Sequence, residues 1–175
     1  MFEMLVPRLR VNTVFDIDLE DLYRKGYRGI ITDLDNTLVG ARAPLATPEL
    51  LVWFDKVKQL GFKLIIVSNN NMDRVSKFAT PLNIEFVHGA RKPSNAPFHK
   101  AMRLMEIGPD STIVVGDQML TDVYGGNRLG LYTVLVLPIS PKEEGFGTRI
   151  NRRVERIAVT RLRKQGLWHE EESKE

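Results

Sequence analysis

The sequence contains no cysteine, and this absence excludes several kinds of chemistry. Disulfide bridges, thiolate metal sites and cysteine nucleophiles are ruled out, and a reducing compartment suits the chain. Long hydrophobic runs are missing too, since no apolar stretch reaches the roughly 18 residues that span a bilayer. Charges interrupt the first residues, MFEMLVPRLRV, too often for a signal peptide. We therefore expect a cytoplasmic protein.

The remaining composition is ordinary for one globular domain. The chain has 175 residues, of which 43% are apolar and 27% charged, and it is long enough to bury a core. Its net charge of +3 is small but unevenly distributed. Composition therefore predicts one domain with terminal extensions.

Buried strands and helices alternate along most of the chain. Near-continuous apolar runs, typical of buried parallel strands, occur at 29–32, 63–67, 84–87, 112–115 and 132–137. Helical spacing and capping signals predict helices at 48–60, 71–80, 94–107 and 118–129. This alternation predicts an α/β fold of three layers, in which helices cover both faces of a doubly wound parallel sheet.

The ends of the chain differ from this regular middle. We expect an N-terminal extension of short helical pieces packed on the core (1–27), an α/β domain (28–140), a basic helical segment (141–167) and a polar, disordered tail (168–175).

Polar side chains collect where the predicted strands end. They are Asp33 and Asp35, then Ser68 and Asn69, then Lys92, and finally Asp117 and Asp122. Because parallel strands end at one edge of the sheet, where ligands bind, these groups should converge. The four carboxylates would repel one another by about 1 kcal/mol or more per pair, so they need a cation. Oxygen ligands favour Mg²⁺, and zinc is disfavoured because these loops lack histidine and cysteine.

Simpler interpretations exist for some of these residues. Asp33 and Asp35 could form a polar turn, Ser68 could cap a helix, and Lys92 could be a solvated lysine. An EF-hand loop is excluded, because Leu38 and Pro44 stand where that loop needs glycine and glutamate.

Four polar segments together resemble the ordered motifs of the haloacid dehalogenase (HAD) phosphatases. The segments are DLDNT (33–37), SNN (68–70), KP (92–93) and GDQMLTD (116–122). The short spacers and the GDQxxTD form look most like the YqeG-type subfamily, which is similar to mitochondrial phosphatidylglycerophosphate phosphatases. The resemblance covers roughly residues 28–137 and implies a HAD-like Rossmannoid fold, with 28–140 as the catalytic domain.

The resemblance implies a magnesium-dependent phosphomonoesterase with an aspartyl-phosphate intermediate. On this pattern Asp33 is the nucleophile, and Asp35 protonates the leaving group and later activates water. Ser68, the amide of Asn69 and Lys92 bind the phosphoryl group.

The resemblance also implies a set of magnesium ligands. The carboxylates of Asp33 and Asp117 and the backbone carbonyl of Asp35 would bind Mg²⁺ directly, and Asp122 would do so directly or through water.

The spacers between the motifs are too short for the cap domain that many HAD enzymes insert there. We therefore expect an open site that accepts a phosphate on a bulky carrier, such as a lipid like phosphatidylglycerophosphate, a metabolite or a macromolecule. A second copy in a homo-oligomer could instead serve as the lid.

The segment 149–166, RINRRVERIAVTRLRKQG, carries seven basic residues between Arg149 and Lys164 and only one acidic residue, Glu155. Its apolar positions predict an amphipathic helix, which can pack on the domain or lie peripherally on anionic membrane or nucleic acid.

Two other functions compete with a phosphatase. A phospho-receiver domain is disfavoured, because its acceptor aspartate follows the third strand and this strand ends VHGARKP. A catalytically weak HAD-like scaffold that binds protein, RNA or membrane through its basic helix is the alternative.

Overall fold

The structure is a computed structural model, and it describes residues 2–168 except for the side chain of Phe2. All but the first residue of the expected tail, 168–175, lies outside the described residues. The chain folds around a parallel sheet of six strands. The strands are β1 (Leu9–Val11), β2 (Gly29–Thr32), β3 (Lys63–Val67), β4 (Glu85–Val87), β5 (Thr112–Gly116) and β6 (Tyr132–Val136).

The α-helices of the described residues lie mostly between the strands. They are α1 (Leu19–Arg24), α2 (Pro48–Gln59), α3 (Met72–Ala79), α4 (Asn95–Met105), α5 (Tyr124–Asn127) and α6 (Phe146–Lys164). Local signals define the start of α2, where Thr47 accepts a capping hydrogen bond from Leu50 N–H and Pro48 is the first residue. No helix in residues 2–168 is long and apolar enough to cross a bilayer.

The strand order β1-β6-β5-β2-β3-β4 reverses direction at β2. From β2 the chain moves outward to β3 and β4, and it then returns to β5 on the other side of β2. The pairing continues past the strands, since the N–H of Asp33 donates to the carbonyl of Val115 at 2.9 Å. The carboxyl ends of β2 and β5 therefore form the crevice in which α/β proteins bind ligands.

Alternating side chains of the strands build one core on each face of the sheet. Ile30 packs in the cluster that α1, α2 and α3 cover, whereas Ile31 packs in the cluster beneath α4. A third, smaller cluster joins α6 to the rest through Leu5, Met119, Ala158 and Leu162. The predicted three-layer α/β fold is confirmed.

The strand predictions agree with the structure to within one residue at each end, whereas two other predictions need correction. Residues 1–27 contain more than short helical pieces, because Leu9–Val11 pairs in parallel with β6 at the sheet edge. The single helix expected over 118–129 is instead a π-helical turn, Met119–Val123, followed by the short α5. Within the described chain, the β2–β3 and β3–β4 connections contain α2 and α3 respectively but no cap domain.

Candidate functional site

Three buried carboxylates converge at the reversal point of the sheet. Asp33 follows β2, Asp117 follows β5, and Asp122 lies in the π-helical turn. Each offers an oxygen, and these oxygens lie within 4.8 Å of one another. The backbone of Gly116 makes this packing possible, since a Cβ there would lie 2.1 Å from Cγ of Asp122.

Lys92 bridges two of these carboxylates from the loop after β4. Its Nζ lies 3.1 Å from Oδ1 of Asp33 and 2.7 Å from Oδ1 of Asp122. The side chain of Asn69 holds the backbone of this loop, because it accepts from Lys92 N–H at 2.7 Å and donates to the Lys92 carbonyl at 3.3 Å. Asn69 thus positions Lys92 against the carboxylates.

Burial sets the proton affinities of this cluster. It raises the pKa of Asp33 to about 6, although the charge of Lys92 opposes this shift. Burial also raises the pKa of Asp117 to about 8, with a further contribution from the charge on Asp33. Burial alone would lower the pKa of Lys92, but the carboxylates of Asp122 and Asp33 outweigh it and raise that pKa. The cluster therefore carries more negative charge than its surroundings stabilise.

The donor set of this cluster fits a hard divalent cation. Carboxylate oxygens from separate loops are the ligands that Mg²⁺ takes in proteins. The hydroxyl of Thr37 donates to Oδ1 of Asp117 at 3.1 Å and orients that carboxylate. Asp33, Asp117 and Asp122 could together hold the ion.

The side chain of Asp35 is directed toward α3. Its Oδ2 accepts from Nδ2 of Asn70 at 2.9 Å, and its Oδ1 accepts from Nε and Nη2 of Arg74 at 3.1 and 2.9 Å. Ser68 is buried nearby, and its Oγ accepts from the N–H of Asn70 at 3.1 Å. Sequence reasoning missed Arg74, which belongs to no motif.

The C-terminal part of the chain supplies a group that the motifs gave no reason to expect. Arg152 of α6 forms ion pairs with Asp117, with Glu144 at 2.9 Å and with Glu155 at 3.2 Å. Asn36 ties the same region to the loop after β2, because its side chain accepts from Ser140 N–H at 2.9 Å and donates to Glu144 at 3.3 Å. We call these contacts of Ser140, Glu144 and Arg152 the C-terminal clasp.

A cavity of about 460 Å³ opens over the site. Asp33, Asp35, Ser68, Asn69 and Lys92 all line it, as do Arg42, Gln118, Glu143, Glu144 and Thr148. The segment before α6 therefore forms one wall of this cavity, and within the described residues no cap domain covers the site. A second cavity, of about 510 Å³ between α2 and the loop before β4, lies away from these groups.

Comparison with known proteins identifies the family to which this chain belongs. The profile of the HAD-hydrolase-like family matches residues 89–138. The chain is 46% identical over 170 residues to the probable phosphatase YqeG of Bacillus subtilis (strain 168), and the match covers 96% of this chain and 98% of that protein. The chain belongs to the HAD family of hydrolases.

Further comparisons agree with this HAD assignment. A phosphatidylglycerophosphate phosphatase of Arabidopsis thaliana is 30% identical over 94% of this chain, which spans 50% of the plant protein. A crystal structure of an uncharacterized protein from Listeria monocytogenes superposes with a TM-score of 0.54 at 18% identity, over 67% of this chain and 85% of the other. The latter likeness shows the fold, and the phosphatase relatives support a phosphoric monoester hydrolase.

The site of this HAD hydrolase has the parts that phosphoryl transfer needs. A carboxylate, Asp33, lies beside an ammonium group, Lys92, at the base of an accessible cavity. Catalysis of phosphoryl transfer depends mainly on such positioning and charge stabilisation.

Proposed function

We propose that this protein is a magnesium-dependent phosphomonoesterase that forms an aspartyl-phosphate on Asp33. The observation that carries the proposal is the cluster in which oxygens of Asp33, Asp117 and Asp122 lie within 4.8 Å of one another, with Lys92 paired to Asp33 and Asp122. A bare cluster of this charge would be unfavourable in a buried position, and a phosphate with its metal ion would complete it.

Asp33 is the proposed nucleophile. One of its carboxylate oxygens forms a bond to phosphorus while the bond between phosphorus and the leaving oxygen breaks. Lys92, Ser68 and the backbone N–H of Asn69 bind the phosphoryl oxygens and stabilise the charge that spreads over them. Lys92 is suited to this role because it is buried and already held against Asp33.

Asp35 is the proposed acid–base group. It donates a proton to the leaving alcohol, and it then accepts a proton from the water that attacks phosphorus and releases inorganic phosphate from Asp33. Arg74 and Asn70 hold this carboxylate at the cavity wall, where a leaving group could reach it.

Magnesium would be held by Asp33, Asp117, the backbone carbonyl of Asp35, and Asp122 directly or through water. When bound, it supplies positive charge that offsets the carboxylates and the phosphoryl group.

The proposed substrate is a phosphate monoester on a lipid headgroup, of the phosphatidylglycerophosphate class. The 30% identity to a plant enzyme with that name supports this choice. The absence of a cap from the described connections also supports it, because a bulky carrier can then remain outside the cavity. The cytoplasmic location and the homo-oligomer stay predictions from the sequence.

The decisive experiment is hydrolysis of p-nitrophenyl phosphate with Mg²⁺ by the wild type and by Asp33→Asn. We expect the substitution to lower kcat by at least about 1,000-fold, because the nucleophile is lost. Asp73→Asn is the matched control, since Asp73 is exposed and, among the described residues, its carboxylate pairs with Lys77 of its own helix. Equal rates for Asp33→Asn and the wild type would exclude the mechanism. Inertness of the wild type toward every phosphoester tried would favour the HAD-like scaffold.

A further inference from the structure

The outer face of α6 carries a continuous row of exposed aliphatic and aromatic side chains. The apolar row consists of Phe146, Ile150, Val154 and Ile157, whose exposed fractions are 81%, 45%, 46% and 57%. Their spacing of four, four and three residues places them along one stripe of the helix. The opposite face is already used, because Glu155, Ala158 and Leu162 are buried against the domain. At least two fifths of each residue in the apolar row therefore stays exposed while α6 packs through its other face.

Arginines run beside this row. The basic row consists of Arg149, Arg153 and Arg156, and all three side chains are exposed. Each immediately precedes a member of the apolar row, so the two rows lie about 100° apart around the helix. Among the described residues, none of the three forms an ion pair with a carboxylate. Arg149 and Arg156 donate hydrogen bonds to the backbone carbonyls of Lys142 and Arg152, and these uncharged acceptors leave the positive charge of the basic row unneutralised.

The apolar row begins at the mouth of the active-site cavity. Gly145 and Thr148, on either side of Phe146, line that cavity. Leu137 and Ile139, in the loop after β6, are also exposed on this edge of the sheet, and the N–H of Ile139 donates to the carbonyl of Asn36 at 3.2 Å. A surface that binds α6 would consequently lie close to the entrance of the site.

We propose that the outer face of α6 docks the protein on an anionic membrane. Aliphatic and aromatic side chains can enter the boundary between headgroups and acyl chains while neighbouring arginines pair with anionic headgroups. Nucleic acid is a weaker fit, because binding to phosphates uses the basic row but gains nothing from exposed aliphatic side chains. Docking would bring the site to its substrate, and this consequence rests on the proposed lipid phosphate substrate. The docking itself can be measured without any turnover.

The test is sedimentation of the full chain with vesicles at low salt. One set of vesicles contains phosphatidylglycerol and phosphatidylcholine, and the other contains phosphatidylcholine alone. We expect binding to the anionic vesicles only, and we expect Val154→Asn/Ile157→Asn to weaken it by about tenfold or more. The matched control is Leu51→Asn/Val52→Asn on α2, where both side chains are exposed at 41% and 68%. This control should bind as the wild type does.

Several outcomes would overturn the proposal. The wild type could fail to sediment with anionic vesicles, or Val154→Asn/Ile157→Asn could bind as tightly as the wild type. If Arg153→Gln/Arg156→Gln loses vesicle binding while Val154→Asn/Ile157→Asn keeps it, the face is a polyanion site. If the wild type sediments with vesicles only after a second protein is added, the face binds a protein partner.

Hydrolysis of p-nitrophenyl phosphate, measured on the same variants, separates docking from catalysis. Val154→Asn/Ile157→Asn should keep the wild-type rate and remain folded, because neither side chain lines the cavity or belongs to the buried cluster beneath α6. If the wild type hydrolyses no phosphoester but still binds the anionic vesicles, the proposed function fails and the docking stands.

Discussion

At the scale of single residues, Arg152 carries the counter-charge of the site. Its side chain is 17% exposed, and its ion-pair partners Asp117, Glu144 and Glu155 are each exposed by 8% or less. Removing one partner of a buried ion pair is strongly destabilising, because the other charge stays buried without compensation. Arg152 therefore stabilises the fold wherever no metal ion neutralises Asp117.

We expect Arg152→Gln to lower the free energy of unfolding in EDTA by about 3 kcal/mol. Mg²⁺ should restore a larger share of stability in this variant than in the wild type, because the ion replaces the lost positive charge beside Asp117. Urea unfolding above about pH 8, where Asp117 is ionised, with EDTA and with Mg²⁺ measures both effects.

Arg153→Gln is the control for this prediction. Arg153 is the next residue along α6, is exposed, and forms no ion pair in the part of the chain that the structure describes. Its substitution should change stability by less than about 0.5 kcal/mol. Equal losses in the two variants would mean that Arg152 is not a specific counter-charge.

The groups with a local signature could be predicted from the sequence, and those without one could not. Asp33, Lys92 and Asp117 each lie in a short motif that follows a strand, and the structure brings them together. Arg152 is one of seven basic residues in its segment, and its partner Asp117 is 35 residues away. Its only sequence signal is Glu155, the single acidic residue there, three positions later. Only the tertiary fold distinguishes it from its neighbours.

At the scale of elements, the residue at the end of β5, Gly116, determines how closely the π-helical turn can pack against that strand. A methyl group on Gly116 would lie 2.1 Å from Cγ and 2.4 Å from Cβ of Asp122. We expect Gly116→Ala to displace Asp122 from Lys92 and to reduce kcat for p-nitrophenyl phosphate by about 100-fold or more. Circular dichroism would establish that the fold persists.

Gly108→Ala is the matched substitution, because a methyl group there would meet nothing within 4 Å. Activity close to that of the wild type is expected for this variant. A fully active Gly116→Ala would show that the site tolerates a shifted Asp122.

The boundaries of elements follow local signals where those signals are strong. The five apolar runs became strands, and Thr47 and Pro48 begin α2 as capping rules predict. The strand β1 has only three residues and charged residues lie in and beside it, so the sequence does not indicate a strand there. These residues form a strand because they pair with β6 in the folded chain. The π-helical turn has no sequence signature either, although it brings Asp122 close against Gly116.

At the scale of the whole molecule, the raised pKa values of Asp33 and Asp117 couple stability to pH. Both carboxyl groups bind protons more tightly in the folded chain than in the unfolded chain, where their pKa is about 4. Between about pH 4 and pH 8 the folded state thus holds more protons, so these groups make stability fall as the pH rises.

Without metal, Asp33 and Asp117 should therefore make the melting temperature a few degrees higher near pH 5 than near pH 8. Calorimetry of the wild type and of Asp117→Asn in EDTA checks this, and the variant should show the smaller pH dependence. Saturating Mg²⁺ should weaken or reverse the trend, because a bound cation favours the ionised carboxylates. Identical pH profiles in the two proteins would contradict the assignment.

The C-terminal clasp has a practical consequence for any shortened form of this protein. A fragment limited to 28–140 would retain every motif of the HAD hydrolases, yet it would lack Glu144 and Arg152, as well as the edge strand β1. Such a fragment would expose the flank of β6 and leave Asp117 without its guanidinium partner, so aggregation and weak folding would follow from the truncation itself. Poor behaviour of a minimal domain would then say nothing against the chemistry of the intact chain.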